Sequence, residues 1–170
     1  RAGFDGPIRI DGNEGWDIGI ARALTPDLVR LGVEFVEQPF HRDDVDAHLA
    51  YRELAQRLPV VLDESCQEAR DVPRCALLGD GVNIKLSKTG GIRGAFSLAR
   101  AARAQGLSVM LGCMIESELG IAQAAQIAAL ADHVDLDGHL LIDDGPFRGL
   151  GFADGEVRVS DRPGLGVEPA

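Results

Sequence analysis

Apolar residues in this chain gather into short runs, separated by longer segments in which they return every three or four positions. The runs are Ile8-Arg9-Ile10, Val33 to Val36, Val60 to Leu62, Val82 to Leu86, Leu107 to Leu111 and Val134 to Asp137. Each is brief and rich in β-branched residues, the pattern of a strand covered on both faces. Four of them lead into a charged residue, Asp11, Glu37, Asp63 and Lys88, and these recur at intervals of 26, 26 and 25 residues. The segments between them predict helices over 17–31, 45–58, 71–78, 92–104 and 117–131. In the first, Pro26 predicts a kink or break, with Thr25 capping a new turn.

Repeated strand-helix units imply parallel strands and an α/β architecture. Polar residues at the ends of successive strands point to a (β/α)8 barrel of the TIM type, in which several strands each lend a residue to one site. A doubly wound sheet would carry a Gly-rich phosphate loop after its first strand, and Asp11-Gly-Asn-Glu-Gly lacks that order. Six strands fall short of eight, and the chain has 170 residues where such a barrel takes about 250. No methionine precedes Met110. The expected organisation is a partial barrel over residues 1–142, strands three to eight of the parent fold, followed by a Gly-rich wrap-around tail over 143–170. Such a segment would expose two sheet edges, so it is expected to be unstable alone or to belong to a larger assembly.

Charge narrows the partners. With 17 Lys+Arg against 27 Asp+Glu, the formal net charge is −10, which argues against nucleic acid and anionic membrane surfaces and for cations or cationic substrate groups. No apolar stretch is long enough to span a bilayer and no signal-peptide order opens the chain. Cys66, Cys75 and Cys113 are odd in number and form no CxxC pair, which fits buried thiols in a reducing, cytoplasmic setting. His41, His48, His133 and His139 show no metal-ligand spacing and read as surface or loop residues.

Three carboxylates converging from neighbouring strands repel one another and call for a counter-charge. A divalent cation supplies it, and an all-oxygen donor set selects a hard ion such as Mg²⁺. The alternative is that each acid is a separate strand-end cap. A lysine beside such an ion suits abstraction of a proton α to a bound carboxylate. Lys85 and Lys88 differ in strand parity, so spacing alone does not say which of them faces the substrate.

Asp11-Gly-Asn-Glu-Gly-Trp16, Glu37-Gln38-Pro39, Asp63-Glu64-Ser65 and Asn83-Ile-Lys-Leu-Ser-Lys88-Thr-Gly-Gly91 resemble successive barrel motifs of the enolase superfamily, in its muconate lactonizing enzyme-like subgroup. The resemblance runs over essentially the whole chain. It implies Asp11, Glu37 and Asp63 as Mg²⁺ ligands, Lys88 as an acid/base lysine and Lys85 as its support. Asp135-Leu136-Asp137 is similar to the Asp-x-Asp with which dipeptide epimerases of the subgroup hold a substrate ammonium. Gly112-Cys113-Met114 and Glu116-Ser117 are expected to line the pocket. The resemblance also implies a second acid/base from a Lys-x-Lys on an earlier strand and an N-terminal capping domain, neither of which is seen in this sequence. It implies a homo-oligomeric parent as well. The expected activity is Mg²⁺-dependent epimerisation of a small-molecule dipeptide. N-acylamino acid racemase, o-succinylbenzoate synthase or cycloisomerase activity, or a non-catalytic metal-binding fragment, are the alternatives.

Overall fold

The structure, a computed structural model, describes residues 4–170. Six strands, β1 (Ile8–Asp11), β2 (Val33–Glu37), β3 (Val60–Leu62), β4 (Gly81–Ile84), β5 (Ser108–Leu111) and β6 (His133–Val134), form one sheet in the order β1-β2-β3-β4-β5-β6. Every pairing in it is parallel. Between them run α1 (Ile18–Arg30), α2 (Val45–Arg52), α3 (Val72–Leu78), α4 (Leu86–Thr89), α5 (Ile92–Ala104) and α6 (Glu118–Ala125). After β6 the tail adds two small antiparallel pairs, β7 (Phe147–Arg148) with β10 (Glu168–Pro169) and β8 (Gly151–Ala153) with β9 (Glu156–Arg158).

The sheet is curled. Neighbouring strands stand about 4.8 Å apart, so four strand steps across a flat sheet cover about 19 Å. Yet the rings of Phe35 on β2 and His133 on β6 have centroids only 4.9 Å apart. The strands therefore bend towards each other as staves of a barrel, of which six are seen. Phe35, Val61 and Met110 form a small cluster on the concave face, and the Arg9 guanidinium lies 5.5 Å over the Phe35 ring. The larger core lies on the convex side, where Val36, Val60, Leu62, Val82 and Ile84 meet Ala95, Leu98, Ala102 and Ile121 from the helices.

The two ends of the sheet do different work. At the N-terminal end, Asp80 accepts two bonds from the Arg57 guanidinium, at 2.6 and 2.9 Å, and one from the Val60 N–H at 2.9 Å. Asp132 repeats the arrangement with Arg103 and the Val109 N–H. Each aspartate locks a helix-to-strand turn to the preceding strand. Among the described residues, Asp11, Glu37, Asp63 and Asp135 at the C-terminal end have no such arginine.

Several elements depart from expectation. Helix α1 is continuous through Pro26, with no break. Pro26 stands on the exposed side of the helix, while Thr25 is buried and donates its hydroxyl to the Ala21 carbonyl instead of capping a turn. The helix expected to reach Leu58 ends at Arg52, and Leu58 is held separately by its N–H bond to the Tyr51 hydroxyl. The helix expected over 117–131 splits into α6 and a 3-10 turn at Ala128–Leu130. Strand β4 stops at Ile84, which moves Lys88 off the strand and onto α4. Cys66 and Cys75 are buried as expected, whereas Cys113 is only partly so. Among the described residues, no helix is long and apolar enough to cross a membrane.

His48 and His139 are also corrections, being buried rather than surface residues. His48 is 1% exposed and meets the Phe40 ring edge-on at 5.1 Å. Burial, aided by the charge of Arg74 and opposed by that of Asp44, pushes its pKa down to about 4. A folded-state pKa below the unfolded value of about 6.5 means the unfolded chain takes up the proton first. Stability contributed by neutral His48 is complete above about pH 6.5 and is lost as pH falls towards 4. In urea titrations, His48→Gln is expected to flatten the stability decline between pH 6.5 and 5 relative to the parent chain.

Candidate active site

Strand periodicity builds the site. Residues two apart on a strand share a face, so each concave-face residue has a successor one layer nearer the C-terminal mouth. Arg9 leads to Asp11, Phe35 to Glu37, Val61 to Asp63, Gly81 to Asn83 and then Lys85, Met110 to Gly112, and His133 to Asp135. The mouth layer thus holds four carboxylates, one amide and one ammonium. Asp11, Glu37, Asn83, Lys85, Asp135 and Asp137 line a cavity of about 350 Å³ together with Gly112, Cys113, Met114, Ile115, Gly138 and Leu141.

Glu37 is buried at the end of β2, beside its register partner Asp11. Burial, joined by the charges of Asp63 and Asp11, pushes its pKa up to about 7, against the opposing hydrogen bond that the Asn83 amide donates to Oε1 at 2.6 Å. Asp11 is raised for the same reasons, partial burial and the Asp63 charge, offset in part by the Asn13 N–H that it accepts at 2.8 Å. Burial also acts on Asp63, but the charges and hydrogen bonds of Lys88 and Lys85 outweigh it and hold this carboxyl below the usual range. Lys85 Nζ stands 2.5 Å from Asp63 Oδ2. Burial lowers the Lys85 pKa, and the bond to Asp63 with the surrounding acid charge more than restores it.

Lys88 comes from α4, behind the layer. Its ammonium donates to the Asp63 carbonyl at 2.8 Å, to the Asn83 carbonyl at 3.0 Å and to the Asp63 carboxylate. An ammonium has three donors, and all three are spent. The lysine expected in strand register therefore fastens the ends of β3 and β4 together, and Lys85 is the one that opens on the cavity.

The expected metal ligands share one layer without closing on a common point. Among the described residues, no three acidic, His or Cys side chains stand close enough to surround an ion. Asp63 is turned to the two lysines. The donor chemistry nevertheless fits a hard divalent cation, since buried Glu37, with its pKa pushed up beside two more carboxylates, is the group an added positive charge would relieve.

Asp135 and Asp137 follow β6 rather than ending it, with Asp137 leading into a 3-10 turn at Gly138–Leu141. Partial burial, then the charge of Asp137 and a hydrogen bond with it, raises Asp135 above the usual carboxylate range. Both face the cavity. Of the expected lining residues, Cys113, Met114 and Gly112 are there. Glu116 instead caps their loop, accepting the Met114 N–H at 3.1 Å.

Three residues named in the sequence motifs have positioning roles that the sequence did not assign to them. Asn83 steers Glu37, and its place two residues before Lys85 was the available signal. Gly112 makes room for Asn83, because a Cβ there would lie 2.5 Å from Asn83 Oδ1. Gln38 is wholly buried in a left-handed backbone conformation, φ 28°. Its Oε1 accepts the N–H groups of Asp63 and Ser65 at 3.0 and 3.1 Å, while its Nε2 donates to the Phe40 carbonyl and the Ser65 hydroxyl, both at 2.8 Å. That network sets the distance between the residue after Glu37 and the backbone of Asp63.

Parallel strands curled into part of a barrel, with acids and a lysine at their C-terminal ends, define an α/β-barrel enzyme scaffold. The family model described as "Enolase C-terminal domain-like" matches residues 1–170, and the chain belongs to that family. Over 159 residues the chain is 41% identical to a hydrophobic dipeptide epimerase of Roseobacter litoralis, which covers 94% of this chain and 46% of that protein. Over 168 residues it is 38% identical to an L-Ala-D/L-Glu epimerase of Bacteroides thetaiotaomicron, which covers 98% and 44% respectively. The crystal structure of a dipeptide epimerase from Cytophaga hutchinsonii, complexed with Mg and the dipeptide D-Ala-L-Val, matches with a TM-score of 0.87 at 30% identity, over 96% of this chain and 46% of that one. The chain spans about half the length of the curated relatives it matches.

Gln38→Ala strands the buried N–H groups of Asp63 and Ser65. It is expected to cost about 3 kcal/mol of unfolding free energy, read as a lowered urea midpoint with an unchanged slope.

Proposed function

We propose that this chain carries the metal-holding and one proton-transferring part of a dipeptide epimerase. The observation that carries the reading is a single cavity in which the acidic pair Asp135 and Asp137 shares the walls with Asp11, Glu37 and Lys85. A dipeptide with a free amino terminus has the matching charges: an ammonium for the acidic pair and a carboxylate for a cation held by the strand-end acids. An N-acylated substrate would leave Asp135 and Asp137 without a partner.

Asp11, Glu37 and Asp63 are the residues that would hold Mg²⁺, with Asn83 fixing Glu37. When bound, the ion supplies positive charge against the negative charge that gathers on the substrate carboxylate as the α-proton leaves. Lys85 is the residue we assign to the proton, exchanged at Nζ, because it opens on the cavity while the Lys88 ammonium is saturated. Lys88 is a positioning residue that holds Asp63 and the end of β4. Epimerisation needs a second acid/base on the opposite face of the α-carbon, and Lys85 is the only cation among the described residues of the cavity wall.

The test is α-proton exchange in D₂O by the full-length protein with a free-amine dipeptide such as L-Ala-L-Glu. Chelation is expected to abolish exchange and added Mg²⁺ to restore it. Lys85→Ala is expected to lower exchange from one epimer by about 10²- to 10⁴-fold. Exchange that survives Lys85→Ala but not Lys88→Ala would return the role to Lys88. Asp135→Asn and Asp137→Asn are expected to raise KM for the dipeptide by about 10- to 100-fold. Mg²⁺ binding without exchange of any dipeptide would favour a non-catalytic metal-binding role instead.

A further inference from the structure

Beyond the mouth layer the chain after β1 still runs beside the chain after β2, but the two fall out of step. Asp11 pairs with Glu37 and Trp16 bridges to Phe40, so one chain advances five residues while its neighbour advances three. The surplus is pushed out as a bulge at Asn13 and Glu14. Hydrogen bonds on either side pin it, from the Gly12 N–H to the Glu37 carbonyl at 2.8 Å and from the Trp16 N–H to the Pro39 carbonyl at 2.8 Å. Both bulge residues are left-handed, with φ 44° and 60°, a conformation that side chains disfavour and that is usually left to glycine.

Strain of this kind persists only where the surroundings impose it. The imposing group is Arg42, on the loop after β2. Its Nε donates to Glu14 Oε1 at 3.0 Å, its Nη2 to Oε2 at 2.9 Å and its backbone N–H to Oε1 at 2.7 Å. The Arg42 carbonyl is fixed in turn by Arg74 Nη2 at 2.6 Å, which ties the clamp to α3. The Glu14 side chain is only 16% exposed, so water competes little for its carboxylate. The bulge has one output towards the site, the Asn13 N–H, which donates to Asp11 Oδ1 at 2.8 Å. Were the bulge to relax, that N–H would turn away and the Asp11 carboxylate would be free to rotate.

Resting on the Mg²⁺ site proposed above, we infer that Glu14 and Arg42 are positioning residues for Asp11. Their ion pair holds the bulge in the conformation that aims the Asn13 N–H at Asp11, and so sets the carboxylate that would share the cation. Neither residue lines the cavity, so both act through the backbone between them and Asp11. Charge alone makes the opposite demand of Arg42. A guanidinium near a cation site repels the cation, so its removal would tighten binding. As a clamp on the bulge, its removal loosens binding.

The experiment measures Mg²⁺ binding to the full-length protein by isothermal titration calorimetry without substrate, alongside the urea midpoint of each variant. Glu14→Ala and Arg42→Ala are each expected to raise the Kd for Mg²⁺ about tenfold. The double variant is expected to bind no worse than either single one, because both remove the same clamp. Glu14→Gly deletes the same carboxylate but accepts the left-handed conformation without strain. Its Kd is therefore expected to fall between those of the parent and Glu14→Ala. Tighter or unchanged binding by Arg42→Ala, additive losses in the double variant, or equal losses in Glu14→Gly and Glu14→Ala would overturn the positioning role and leave the metal site in place. So would a lowered urea midpoint with the Kd unmoved, the mark of a pair that only stabilises the fold. A full-length protein that binds no Mg²⁺ would overturn the proposed function and this inference with it.

Discussion

Mutual repulsion among carboxylates crowded at one end of the sheet is the constraint around which the rest of the site is organised. A curled parallel sheet brings Asp11, Glu37, Asp63 and Asp135 to a single layer whether or not their charges agree. The surroundings show how that is tolerated. The Asn83 amide donates to Glu37, the Asn13 N–H to Asp11, and two lysines take up Asp63. What remains uncompensated sits on Glu37, and there the physical chemistry of a cation site is clearest.

The opposite end of the sheet shows the same residue type under a different regime. Asp80 and Asp132 each have a bidentate arginine and a backbone N–H, so their charge is satisfied locally and their effect is to fasten turns. Among the described residues, Asp11, Glu37, Asp63 and Asp135 at the mouth have no bidentate arginine, although Glu14 on the loop after β1 pairs with Arg42. The contrast separates fastening from chemistry without reference to any relative, and it agrees with the polarity of a barrel, in which one rim stabilises and the other reacts.

Much of this was legible in the sequence because strand periodicity and the near-constant repeat are one-dimensional signals. The six strands, the helix over 92–104 and the acids Asp11, Glu37 and Asp63 follow from them directly. Where the reading failed, the deciding contact was three-dimensional. Lys88 shares the repeat interval, yet the chain turns helical at Leu86 and sends it behind the layer, while Lys85 keeps the parity of Asn83. Pro26 leaves its helix whole and stands on the exposed side of it. His48 carries no spacing signal, and only the packing of Phe40 against it shows that it belongs to the core. Gln38 and Asn83 act through partners 27 and 46 residues away, respectively, a range that no local pattern encodes.

Gln38 uses its entire hydrogen-bonding capacity, two donors and two acceptor lone pairs, on four partners inside a space from which water is excluded. Glutamate has the reach but lacks the donors; asparagine has both kinds of atom but is one methylene short; methionine matches the length and has neither. Few of the twenty amino acids could therefore drift into this position without loosening the site. Met114, Ile115 and Leu141 at the lip of the cavity are freer, because each meets solvent. In this partial barrel the position with the least room for change lies outside the cavity wall, and the lip can vary while the spacing of the acids stays where Gln38 holds it.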